Sequence, residues 1–109
     1  ITALVEDHLA ICDAVGESPW FGINLDTGNY RIKPYDDLVK AAPRAVNVQI
    51  KVEVYKPDGS KELADLARFR DIVAGAGYKG WIALEYEAAG DPRKEIPMYL
   101  AKLKELFEG

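Results

Sequence analysis

The sequence predicts an α/β fold built on a parallel sheet. Segments of helical and strand periodicity alternate strictly along its 109 residues, with a helix first and a helix last. Three runs, near 20–26, 45–55 and 80–86, alternate apolar and polar residues with a period of two. Each run carries carboxylates or amides toward its C-terminal end, where α/β enzymes keep their chemistry.

Taken in order, residues 2–15 place Leu4, Leu9, Ile11, Cys12 and Val15 at spacings that fit an amphipathic helix, with Thr2 as its cap. Gly16 and Pro19 end it. In the first strand Phe21, Ile23 and Leu25 alternate with Gly22, Asn24 and Asp26, and Thr27-Gly28-Asn29 breaks the pattern as a turn. Pro34-Tyr35-Asp36-Asp37 opens a short helix, stopped by Pro43. The second strand reads as one element from Ala45 to Tyr55, with Val46, Val48, Ile50, Val52 and Val54 on one face and mostly polar residues on the other. After the turn Lys56–Ser60, a helix is expected from about Lys61 to Ala76, burying Leu63, Leu66, Phe69, Ile72 and Val73. The third strand follows, Trp81 to Tyr86. A last helix is expected from about Ile96 to Phe107, with Met98, Leu100, Leu103, Leu106 and Phe107 inward.

The bulk properties are those of one small globular domain: 49% hydrophobic, 29% charged, net charge −4. An acidic balance disfavours nucleic acid and anionic membrane as partners. The single cysteine excludes an intrachain disulfide. No apolar run is long enough to span a bilayer and no signal sequence is recognised, so a cytoplasmic location is expected. The chain opens at Ile1 inside what reads as a helix already in progress, which is the expectation for a fragment or a processed chain.

Asn24 and Asp26, then Asn47, Gln49, Lys51 and Glu53, then Glu85 and Glu87 fall at or near the strand tips. In a parallel barrel, in-phase residues of successive strands share one cavity, so Asp26, Gln49 and Glu85 are expected to converge. Two carboxylates and an amide oxygen suit Mg²⁺ or Mn²⁺ better than zinc.

Gly22-Ile23-Asn24-Leu25-Asp26-Thr27-Gly28-Asn29, Ala42–Lys51 and Gly77–Glu87 resemble, in order and spacing, the C-terminal part of the xylose isomerase-like TIM barrels, the sugar phosphate isomerase/epimerase superfamily. The resemblance implies a partial (β/α)8 TIM barrel, about three βα units with a leading helix, forming one domain over 1–109. It also implies a divalent metal, Mn²⁺ or Mg²⁺ first and Zn²⁺ or Co²⁺ after them. Asp26 and Glu85 match ligands of that metal, and Gln49 stands where the family usually has histidine. A fourth ligand, a glutamate from an earlier strand, has no counterpart. Asn29 and Lys51 match substrate-binding positions. The implied reaction is aldose–ketose isomerisation or ketose epimerisation of a sugar or sugar phosphate through a metal-stabilised enediolate, with Glu85 as one of two acid–base carboxylates. The isolated chain is then expected to be catalytically poor, and a homo-oligomer or a missing N-terminal half would complete the barrel.

The plainer readings are few. Glu87 reads as an outer salt-bridge member, Lys51 equally as an ion-pair partner of Glu53 or Glu85, His8 as a surface residue and Cys12 as a small core hydrophobe. Trp81 and Tyr86 read as core or rim, and Arg93 and Lys94 as a solvated face. A non-catalytic carbohydrate-binding or assembly module of the same fold is the main rival, favoured by Gln49. A nuclease of the endonuclease IV branch needs more histidines than the one present.

Overall fold

The computed structural model describes residues 2–109. In chain order the elements are α1 (Val5–Val15), β1 (Ile23–Asp26), α2 (Pro34–Ala41), a 3₁₀ turn (Ala42–Arg44), β2 (Ala45–Lys51), β3 (Glu53–Tyr55), β4 (Lys61–Leu63), α3 (Leu66–Gly75), β5 (Ile82–Glu85) and α4 (Pro92–Glu108). Strands β1, β2 and β5 form a parallel sheet in that order, with Asp26 beside Gln49 and Lys51 beside Glu85. This is the predicted α/β architecture, a partial barrel that does not close.

The sheet divides the chain's chemistry between its faces. Ile23, Leu25, Val48 and Ile50 are buried in one core cluster with Leu38, Phe69, Val73 and Leu103 from the helices. On the opposite face Asn24, Trp81 and Ala83 are exposed, and β1 and β5 have unpaired edges. Parallel sheets are normally covered on both faces, so this polar face is the unusual one.

Several expectations are corrected. The run 45–55 is not one strand. It bends at Val52, whose carbonyl accepts from the Ala64 amide (2.9 Å), and β3 turns back as an antiparallel hairpin with β4. The turn is closed by Lys56 N–H to the Ser60 carbonyl (2.8 Å), with Gly59 at φ 84°. Lys61–Leu63 is therefore strand rather than helix, and Leu63 is exposed. Helix α3 starts later because Asp65 caps it, accepting from Arg68 N–H at 3.0 Å.

Helix α4 starts earlier than expected because Asp91 caps it and Pro92 suits its first position; Pro97 sits inside it and forfeits one helix hydrogen bond. Met98 and Leu100 are exposed, as are Leu4, Ile11 and Val15 of the first segment. Thr2 caps nothing: Leu4 holds the cap position of α1, with no side-chain bond.

Candidate functional site at the strand tips

Strand β1 delivers Asp26 to the end of the sheet, and the turn after it fixes the carboxylate. Asp26 Oδ1 accepts from Gly28 N–H at 2.9 Å, an Asx turn, which leaves Oδ2 facing out of the turn. Thr27, 1% exposed, ties this turn to β2. Its N–H donates to the Gln49 carbonyl (3.0 Å), and its hydroxyl oxygen accepts from Lys51 N–H (2.9 Å). A side chain at Gly28 would lie 2.6 Å from Lys51 Cδ, so glycine is what lets Lys51 fold across the turn.

Lys51 is the centre of the cluster. Its Nζ lies 3.4 Å from Asp26 Oδ2, 3.5 Å from Glu85 Oε2 and 2.9 Å from Glu87 Oε2. Partial burial disfavours the ammonium, but the hydrogen bond to Glu87 and the charges of Asp26, Glu85 and Glu87 outweigh it, so the Lys51 pKa is raised. The bond and charge of Lys51 hold Glu87 below the usual glutamate range. Gln49 joins the same group by donating from Nε2 to Glu85 Oε2, and its Oε1 accepts from Asn24 Nδ2 at 3.1 Å. Asn47 Nδ2 donates in turn to Asn24 Oδ1 at 2.8 Å.

Asp26, Gln49, Lys51 and Glu85 are thus brought together from three neighbouring strands. Asn29 is not. Its side chain turns to the Thr2 carbonyl (2.5 Å) and hydroxyl (3.4 Å). Of the two ion-pair partners expected for Lys51, Glu85 forms the pair and Glu53 does not among the described residues; Glu87 joins it. Sequence spacing did not reveal Thr27 as a buried link, because a Thr-Gly-Asn turn gives no sign of which strand its hydroxyl faces.

The cluster is tested as a cation site by its own chemistry. Among the described residues no group of three or more His, Cys, Asp or Glu side chains is spaced to hold a metal, and Gln49 turns its NH₂ group rather than its oxygen to Glu85. Oxygens of Asp26 and Glu85 already face one positive charge, the Lys51 ammonium. The carboxylates are thus organised around the Lys51 ammonium, with Glu87 as its third partner.

A cavity of about 60 Å³ adjoins the cluster, lined by Gly28, Lys51, Tyr55, Lys61 and Glu87. The ring of Tyr55 carries Arg31 and Lys61 within 4.8 and 5.2 Å. A larger concavity of about 770 Å³ lies at the other end of the sheet, beside Cys12, Phe21 and Arg44. Its polar chemistry centres on the exposed Arg44–Asp13 ion pair (2.7 Å), so the strand tips are the stronger candidate. His8, half-buried rather than at the surface, pairs its Nδ1 with the Tyr30 hydroxyl (2.8 Å), and burial lowers its pKa. Burial also pushes the Tyr30 phenol up to about 12, with Asp37 adding to it, which keeps it neutral.

No helix among the described residues is long and apolar enough to cross a membrane. No curated protein and no solved structure matches the chain. Residues 3–106 match the family described as xylose isomerase-like TIM barrel. With that match covering nearly its whole length, and with parallel strands carrying polar tips, the chain belongs to the xylose isomerase-like TIM barrels.

Proposed function

We propose that this chain supplies the C-terminal strand tips of a divalent-metal-dependent isomerase or epimerase acting on a sugar or sugar phosphate. The family suggests sugar isomerase/epimerase-type function. The observation that supports the finer reading is that Asp26 and Glu85 face one cationic position, the Lys51 ammonium, with Gln49 of the strand between them bonded to Glu85. Asp26 and Glu85 would hold Mn²⁺ or Mg²⁺ through carboxylate oxygens and Gln49 through Oε1. When bound, the metal supplies Lewis acidity to a carbonyl oxygen of the sugar. Glu85, which unlike Asp26 is not tied into the β1 turn, would take or return a proton at the carbon beside that carbonyl. Lys51, held charged by its three carboxylates, orients substrate oxygens from the same side.

The uncovered polar face, the unpaired edges of β1 and β5, and the exposed Trp20 and Trp81 (95% and 87%) favour closure by further strands, from a longer chain or from a second copy. Those strands would supply the second acid–base carboxylate. The test is solvent-deuterium incorporation into ketoses and ketose phosphates with Mn²⁺ in D₂O, read by NMR on the closed assembly. Incorporation that is lost in Glu85→Gln supports the proposal. A second reading, a non-catalytic carbohydrate-binding module, draws on the neutral amide of Gln49 and on Lys51 standing among the carboxylates. Sugar binding with neither deuterium incorporation nor conversion of the sugar would favour that reading and overturn the first.

A further inference from the structure

We infer that Asn24 and Asn47 are positioning residues, forming with Gln49 a directional chain of side-chain amides whose polarity is set at its Glu85 end and held by each amide's bond to the next. The direction follows from the acceptor-only carboxylate at one end. Glu85 accepts, so Gln49 must present its NH₂ group to it. That leaves Gln49 Oε1 for Asn24, which must therefore turn its own NH₂ toward β2. Asn24 Oδ1 is then left to accept from Asn47 Nδ2. Three amides on two neighbouring strands share one polarity, and none can turn over without its neighbour losing a hydrogen bond.

The chemistry expected of Gln49 under the proposed function is the opposite. A cation takes an amide through its oxygen, so Gln49 must then present Oε1 to the cluster and its NH₂ to Asn24. Asn24 and Asn47 accommodate this by turning with it, because each carries both a donor and an acceptor. Leucine at either position cannot, and aspartate can only accept. This consequence rests on the metal reading, whereas the polarity of the chain does not.

The experiment uses the ¹⁵N-labelled 109-residue chain. Without metal, Glu85→Ala shifts the Gln49 side-chain amide resonances, because their donor bond is lost. It also moves those of Asn47, whose donor bond to Asn24 is passed on from Gln49. In an Asn24→Leu background the chain is cut, so Glu85→Ala still moves the Gln49 resonances but no longer those of Asn47. Gln49 resonances that ignore Glu85→Ala, or Asn47 resonances that respond equally in both backgrounds, overturn the inference.

Calorimetry with Mn²⁺ then reads the consequence. Asn24→Leu weakens binding on the order of 10-fold, while Asn24→Asp retains it even in high salt, where added charge is screened. Equal losses in the two variants overturn the positioning role. Absence of Mn²⁺ binding in the unsubstituted chain leaves the metal-free spectra to decide the amide chain by themselves.

Discussion

Thr27→Val removes one oxygen and nothing else of comparable size. The residue is 1% exposed, and its hydroxyl is the acceptor for Lys51 N–H at 2.9 Å. Valine keeps the shape and strands that amide without a partner at the end of β2. An orphaned buried donor costs about 1–3 kcal/mol. At about 4 °C per kcal/mol for a chain of this length, Tm falls by roughly 4–12 °C. Urea denaturation measures the loss, and hydrogen exchange assigns it, since the Lys51 amide should lose protection while Val48 in mid-strand keeps it. A variant within about 0.5 kcal/mol of the parent, with the Lys51 amide still protected, would refute the claim that Thr27 locks the β1 turn to the β2 tip.

Lys51→Met removes the charge that holds Glu87 below its usual range. Because the folded-state pKa of Glu87 is depressed, its contribution to stability is present above the ordinary glutamate value of about 4.3 and is lost as pH falls below it. The stability of the parent should therefore decline more steeply than that of Lys51→Met below about pH 5 in denaturation curves taken across pH. Gly28→Ala places a methyl 2.6 Å from Lys51 Cδ and 3.0 Å from its Cβ, and should cost about 1–3 kcal/mol in urea while moving the Lys51 side-chain resonances. Phe69→Ala empties a fully buried site in the core between α3 and the sheet, with an expected loss of about 3–5 kcal/mol.

Period-two patterning exposed the three parallel strands and their order of burial because one face packs on helices and the other stays polar. The sequence also foreshadowed the meeting of Asp26, Gln49 and Glu85, since in-phase residues on parallel neighbours must share a face. The hairpin was harder to see. Val52 and Val54 continue the alternation of Val48 and Ile50, so periodicity alone runs β2 into β3. The signal that separates them is the Pro57-Asp58-Gly59 turn before Lys61-Glu62-Leu63, together with Asp65 as a cap before Leu66.

Helix ends were misplaced where a cap outweighed a proline, as Asp91 does at α4 despite Pro97. Exposure of Leu4, Ile11, Val15, Met98 and Leu100 was not legible, because a helix on a small sheet buries a narrower stripe than its apolar residues occupy. The partners of Lys51 and Asn29 depend on rotamers in space. Spacing along the chain does not specify that one lysine will gather three carboxylates, or that Asn29 will turn back to Thr2.

Mn²⁺ titration calorimetry on the 109-residue chain, with its solution mass recorded on the same sample, tests the strand-tip cation site most directly. Saturable binding that disappears in both Asp26→Ala and Glu85→Ala, and tightens in Lys51→Met as the competing ammonium is removed, is the predicted result. Binding that survives both carboxylate substitutions, or that is unchanged in Lys51→Met, would contradict it.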